Sequence, residues 1–130
     1  MGRSGEAGIR RKLVRTPGLR WLRRPVVSGE QQHFDLAYVR AGPRNDRPLL
    51  VLPGGPGLAS VMPYRPLRAA AAARGLDTIM VEHRGVGLSR TDGEGADLPQ
   101  DALTMAQVAD DLAVPSTPSL SCPGSTGRAR

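Results

Sequence analysis

Residues 49–57 read Leu-Leu-Val-Leu-Pro-Gly-Gly-Pro-Gly, an apolar run that stops at a cluster of prolines and glycines. Four consecutive apolar residues suit a short strand that is covered on both faces, as in a parallel sheet. The segment from Pro53 to Gly57 suits neither a helix nor a strand interior, because prolines lack the backbone N–H and glycines lack side-chain restraint. The stretch therefore predicts a buried strand, followed by a loop whose backbone a ligand can approach closely.

The residues downstream continue this pattern with a helix and a second strand. Residues 67–74 are helical by composition, with five alanines from Ala69 to Ala73, and Gly75 suits the left-handed conformation that follows many helices. Thr78–Val81 is a second short apolar run, and it ends at Glu-His-Arg-Gly-Val-Gly in residues 82–87. The order predicts a βαβ unit in which residues 49–52 and 78–81 are neighbouring parallel strands.

Two further elements are predicted on either side of this unit. Residues 34–39 alternate in the manner of a strand with one well-buried face. Thr104 and Gln107 have the spacing of a capping box at the start of a helix. The apolar stripe of that helix is expected to comprise Leu103, Met105, Val108 and Leu112.

Charge and composition divide the chain into three parts. Residues 1–24 hold eight basic residues and one acid, a net charge of +7, whereas residues 25–130 carry −1 and the whole chain +6. We therefore expect a disordered basic arm over residues 1–24 and an ordered domain over 25–114. Residues 115–130 are rich in Pro, Ser and Gly and are expected to form a disordered tail.

Composition excludes several classes of protein. No apolar run approaches the roughly 20 residues that a membrane span requires, so no membrane partner is expected. The apolar residues of the arm are interrupted by arginines throughout, which excludes a secretory signal. A single cysteine, Cys122, rules out a disulfide framework or a cysteine-rich zinc site. We expect no metal and no cofactor.

The glycine-rich loop of residues 53–57 has two functional interpretations and one structural one. A phosphate cradle would need a Gly-Lys-Ser/Thr sequence or a dinucleotide fingerprint, and the spacing fits neither. An oxyanion hole would use backbone N–H groups to stabilise the charge that develops on a carbonyl oxygen. The structural alternative is an ordinary tight turn.

Taken together, residues 49–57 and 81–89 resemble the α/β-hydrolase superfamily, and more narrowly its proline iminopeptidase branch. That branch carries His-Gly-Gly-Pro-Gly after its third strand and Asp-Gln-Arg-Gly-x-Gly-x-Ser after its fourth. Residues 54–57 match the first motif, and the second is matched by Arg84, Gly85, Gly87 and Ser89. The departures are Pro53 for His, Glu82 for Asp and His83 for Gln. The resemblance covers residues 31–114 and implies an α/β fold, the N-terminal part of a mostly parallel sheet.

The resemblance also implies roles for individual residues. The backbone N–H of Gly55, together with that of Gly54, would supply one oxyanion donor, and the residue after the nucleophile would supply the other. The four matched residues of the second motif would shape the loop behind the active site. The substrate of the full-length family is a small peptide or an ester, and the expected location is cytoplasmic.

The catalytic triad of that superfamily has no counterpart in these 130 residues. No serine has glycine at both −2 and +2, and Ser89 has Thr91 at +2. The triad runs Ser, then Asp or Glu, then His along the chain, whereas the histidines here, His33 and His83, come too early to serve as the base. We therefore expect an N-terminal fragment without hydrolytic activity of its own, whose pattern past Val114 is that of a shifted reading frame or an aberrant end.

The alternative function is that of a binding protein. The basic arm of residues 1–24 would then hold a nucleic acid or an acidic partner. Nucleic acid is not the expected partner, because the arm shows no regular helical face and its one aromatic residue is Trp21.

Overall fold

The computed structural model describes residues 2–53 and 59–115. Its helices are α1 (Gly2–Leu13), α2 (Arg65–Ala73) and α3 (Met105–Ala113). Its strands are β1 (Leu19–Pro25), β2 (His33–Ala41), β3 (Leu49–Val51) and β4 (Thr78–Val81). Single 3₁₀ turns follow β4, at Gly87–Ser89 and Gln100–Ala102. The described residues thus form a small α/β domain.

The strands form one sheet of four in the order β1-β2-β4-β3. β3 and β4 are parallel neighbours, with Leu50 beside Ile79, and α2 lies between them in the chain. The predicted βαβ unit is therefore confirmed. Gly75 has a φ of 80°, as its position after α2 predicts.

The expectation of a mostly parallel sheet is wrong for the described strands. β1 pairs with β2 and β2 with β4 in antiparallel fashion, so the sheet is mixed. A short connection joins β1 to β2, and only antiparallel strands can be joined in that way. Parallel pairing occurs where the chain crosses over through α2.

β2 is buried on both faces, whereas its alternation predicted one well-buried face. Phe34 and Leu36 belong to one apolar cluster, with Val81, and Ala37 and Val39 belong to another, with Leu88. The cause is that α3 and α1 pack against the two clusters, one on each face of the sheet. Leu112 of α3 packs against the first cluster and Leu13 of α1 against the second.

The prediction of a disordered arm over residues 1–24 is also wrong. β1 pairs along its whole length with β2, from Leu19 opposite Val39 to Pro25 opposite His33. The arginines of β1 interrupt the alternation of apolar residues by which a strand is predicted. One of them, Arg24, forms an ion pair with Asp111 at 2.9 Å. The predicted tail of residues 115–130 lies outside the described residues except for Pro115.

β3 forms an edge of the sheet. Its hydrogen-bonded neighbour among the described strands is β4, and Leu49 stays 52% exposed. The expected burial of both faces of this strand is therefore wrong. An edge strand with apolar side chains is a template for pairing with another chain.

The start of α3 follows the prediction in part. Thr104 Oγ1 accepts a hydrogen bond from the Gln107 backbone N–H at 3.3 Å, as a capping residue does. The Gln107 side chain does not complete the capping box, because it accepts a hydrogen bond from Arg84. The apolar stripe is also incomplete, since Met105 is 82% exposed while the buried residue of the helix is Asp111.

Among the described residues, no helix has both the length and the apolar character that crossing a membrane requires.

Candidate functional site

The two predicted catalytic residues, Gly54 and Gly55, lie outside the described residues. The site is therefore defined by the segments around them, which are the end of β3, residues 59–64, and the loop that follows β4. Because β3 and β4 are parallel, their carboxyl ends lie at the same edge of the sheet, where open α/β sheets bind ligands.

Glu82 joins the two loops at this edge. Its side chain is 1% exposed. The carboxylate accepts hydrogen bonds from the backbone N–H groups of Ser60 at 2.9 Å and Val61 at 3.2 Å. Its other oxygen accepts from the N–H of Leu88 at 2.7 Å. One buried side chain therefore fixes the segment after the glycine-rich loop to the segment after β4.

Arg68 holds the opposite side of the same peptide segment. Its guanidinium donates to the carbonyl oxygen of Ser60 at 3.2 Å and to that of Val61. Burial lowers the pKa of Arg68, with Arg65 adding to the decrease and Glu82 opposing it. Donors and acceptors of residues 60–61 are thus both satisfied by buried charged groups, which fixes the backbone on the downstream side of residues 54–58.

Arg84, the first matched residue of the second motif, is at the centre of a buried ionic cluster. Its guanidinium binds both carboxylate oxygens of Asp111, at 2.7 and 2.9 Å. Further donations reach the carbonyl oxygens of Val26 at 2.7 Å and Ala102 at 2.8 Å. The guanidinium carbon lies 5.1 Å from the centre of the Phe34 ring. Such a fully partnered arginine acts as a structural tie between β1, the loop after β4 and α3.

The remaining matched residues also make structural contacts. Gly87 has a φ of 49°, and a Cβ there would lie 2.5 Å from Glu82 Oε2. Gly85 has a φ of 78°, and its Cβ would lie 2.7 Å from a methyl carbon of Leu103. Ser89 is fully buried, and its hydroxyl oxygen accepts a hydrogen bond from the Ala37 N–H at 2.9 Å. These contacts agree with the expected role of the motif in shaping its loop.

The hydroxyls and imidazoles of the described residues do not form a nucleophile–base pair. Ser60 Oγ donates to the carbonyl oxygen of Val81 at 3.3 Å, and Ser89 Oγ is bound to Ala37. Burial lowers the pKa of His83, with the charge of Asp111 partly opposing it. His33 lies at the start of β2. No group of three or more potential metal ligands was found within residues 2–53 and 59–115.

Sequence analysis missed four of the buried charged residues that hold the domain together. Asp111, Arg68 and the pair Arg40–Asp77 gave no signal, since each is one of many charged residues in an Arg-rich chain. Glu82 was visible only as a departure from the aspartate of the motif. The bidentate geometry of Arg84 with Asp111 could not be found from spacing, because 27 residues separate them.

Comparison with known proteins adds no assignment. No family model matches the sequence, and a search of curated proteins returned no match.

Proposed function

We propose that the chain is the N-terminal part of a serine hydrolase of the α/β-hydrolase superfamily, of the aminopeptidase type. The observation that carries the proposal is the carboxylate of Glu82, which joins Ser60 and Val61, downstream of the glycine-rich segment, to Leu88 in the second motif. Support also comes from the parallel β3–β4 pair, whose carboxyl ends lie at one edge of the sheet, where open α/β sheets bind ligands.

In this proposal the chain supplies electrostatic stabilisation. The backbone N–H of Gly55, with that of Gly54, donates to the oxygen that becomes negative when a carbonyl carbon is attacked. Glu82 and Arg68 hold the backbone of residues 60–61, a few residues downstream of these proposed donors. A peptide or ester carbonyl is the group that such donors recognise, so a small peptide or ester is the proposed substrate class.

Attack on the carbonyl requires a serine, a base and an acid, which these 130 residues do not combine in the order the superfamily uses. We therefore expect no turnover of proline-β-naphthylamide or p-nitrophenyl acetate by the chain itself. A fluorophosphonate that labels activated serines should leave it unmodified. Labelling at Ser60 or Ser89 would contradict the proposal that the chain supplies oxyanion donors but no nucleophile.

A chimera tests the proposal directly. Residues 19–114 would replace the corresponding N-terminal part of an active proline iminopeptidase, whose own triad would supply the chemistry. Gly55→Pro removes the proposed N–H donor and should lower kcat about 100- to 1,000-fold. The matched variant Gly55→Ala retains the N–H and should have a much smaller effect. A folded chimera without activity would contradict the hydrolase proposal, whereas equal effects of the two variants would contradict the oxyanion role of Gly55.

A further inference from the structure

A second candidate site lies on the face of the sheet that α1 covers. We call it the Trp21 cleft. It has a volume of about 460 Å³, and its lining includes Arg10, Trp21, Arg23, Asp35 and Asp92. Trp21 and Arg23 project from the same face of β1, because they are two residues apart in a strand. Arg10 reaches the cleft from α1.

The cationic and aromatic groups of this cleft are not used by the fold. No hydrogen bond or ion pair engages the side chains of Arg10, Trp21 or Arg23 within the part of the chain that the structure describes. Arg24, the neighbour of Arg23, is in contrast bound to Asp111. The indole of Trp21 is 42% exposed. A free indole beside free guanidinium groups can bind a ligand that has both a flat ring and a negative charge.

The two carboxylates of the cleft differ in their availability. Asp92 is occupied, because its oxygens accept from Gln32 Nε2 and from the N–H groups of Glu94 and Ala96, each at 2.9 Å. Asp35 is exposed and lies opposite Arg23 in the β1–β2 register. The negative charge of Asp35 therefore weakens the binding of an anionic ligand, whereas the net charge of +7 on residues 1–24 strengthens it.

We propose that the Trp21 cleft binds a single-stranded nucleic acid, with an unpaired base stacked on Trp21 and neighbouring phosphates paired with Arg10 and Arg23. A single strand fits better than a duplex, because the bases of a duplex are stacked on each other and offer no free face to an indole. An acidic protein fits less well, because its carboxylates would pair with the arginines and leave the exposed ring of Trp21 unused. This proposal does not depend on the hydrolase proposal, because it uses none of residues 54–61 or 82–87.

The intrinsic fluorescence of Trp21 provides the readout, because it is the only tryptophan in the chain. A deoxythymidine oligonucleotide of about twelve residues should quench this fluorescence on binding. The affinity should fall steeply between about 50 and 200 mM salt, as phosphate contacts require. Absence of quenching at low salt would overturn the proposal. Equal quenching by poly-glutamate would also overturn it, in favour of an acidic partner.

Charge-matched double variants separate a site from general attraction. Arg10→Gln with Arg23→Gln removes two charges from the cleft, and Arg11→Gln with Arg15→Gln removes two exposed charges outside its lining. Measured by anisotropy of a fluorescein-labelled oligonucleotide, the first pair should weaken binding at least about ten-fold more than the second. Equal losses would overturn the proposal, because they would show attraction to the arm as a whole. Far-UV circular dichroism verifies that each variant retains its fold.

Single variants test the stacking and the opposing charge. Trp21→Ala should weaken binding about ten-fold or more, while Trp21→Phe should retain most of it, since a ring remains available for stacking. Asp35→Asn should tighten binding about two-fold or more, because it removes the free carboxylate from the cleft. An abasic oligonucleotide that binds the protein as tightly as the deoxythymidine strand would overturn the proposed stacking.

Discussion

The arginines of the sheet and its loops differ sharply from those of α1. Arg40, Arg68 and Arg84 are each less than 10% exposed and hold hydrogen-bond partners in the domain. Arg10 and Arg11 on α1 are exposed, and no partner engages their side chains among the described residues. The same residue type thus has two uses in one chain. Burial, rather than composition, decides whether an arginine stabilises the fold or is free to bind a ligand.

The largest effect is expected from Arg84→Met. It removes the bidentate partner of Asp111 and leaves that carboxylate buried beside Arg24 alone. Breaking a buried ion pair from one side costs about 3–5 kcal/mol of unfolding free energy, which a domain of this size cannot easily lose. Urea unfolding followed by circular dichroism measures the cost. Arg90→Gln, which breaks an exposed pair with Asp97, is the control and should leave the midpoint nearly unchanged. A similar decrease of the urea midpoint in both variants would show that the buried arginine contributes no more to stability than the exposed one.

A somewhat smaller effect is expected from Gly87→Ala. The residue has a positive φ, and the added Cβ would meet the carboxylate of Glu82. Backbone strain at such a position costs about 1–3 kcal/mol, and displacement of Glu82 adds to it. Gly95→Ala is the control, because Gly95 shares the positive φ but has open space around it. If the two variants unfold at the same urea concentration, Glu82 does not restrain this loop.

The pair Arg40–Asp77 makes a pH-dependent contribution. The Arg40 guanidinium donates to both Asp77 oxygens, at 2.9 and 2.6 Å, and lowers the pKa of that carboxyl, with burial opposing the effect. A carboxyl whose pKa is lower in the folded state stabilises the protein above its ordinary pKa of 3.8, and the contribution is lost as the pH falls through the folded pKa. The difference in stability between Asp77→Asn and the unmodified chain should therefore be about 2–4 kcal/mol near pH 7 and shrink below pH 3.8. A difference that is constant with pH would contradict this origin.

A weaker pH effect of the same kind is expected at His83. Burial lowers its pKa from 6.5, so the folded state favours the neutral imidazole. Stability from this group is present above pH 6.5 and decreases as the pH falls towards the folded pKa. His83→Gln should remove that part of the decline between pH 7 and 5, measured by thermal unfolding. An unchanged slope would show that His83 does not contribute to it.

The smallest effect on stability is expected from Arg11→Gln combined with Arg15→Gln. Both side chains are exposed, and no interaction of either is present within the described structure. Surface substitutions of this type change the free energy of unfolding by less than about 0.5 kcal/mol. A clear shift in the urea midpoint would indicate that α1 is stabilised by these charges, and the contrast with the buried arginines would fail.

The sequence predicted the part of the fold that depends on apolar runs. β3, α2 and β4 followed from Leu49–Val51, the alanines before Gly75 and Thr78–Val81, because each of these signals is continuous in the sequence. β1 was missed, because Arg20, Arg23 and Arg24 interrupt its alternation. Its pairing depends on tertiary contacts, above all with β2 and with Asp111.

The candidate site was predictable in outline. The match at Arg84, Gly85, Gly87 and Ser89 predicted a structural loop, and the contacts of these residues agree with that role. The partners of these residues could not be predicted from spacing, because Asp111, Ala37 and Ala102 come from distant parts of the chain. The proposed oxyanion donors, Gly54 and Gly55, remain a prediction from the resemblance.

The position of Asp111 also constrains the order in which the domain can fold during synthesis. Asp111 binds Arg24 across 87 residues of sequence and Arg84 across 27. On a ribosome, β1 and β2 emerge long before the carboxylate that binds Arg24 and Arg84. Until α3 has left the exit tunnel, burying these guanidinium groups would leave two cations without a counterion in an apolar interior. The nascent chain should therefore keep this side of the sheet solvated and close it late, when α3 docks.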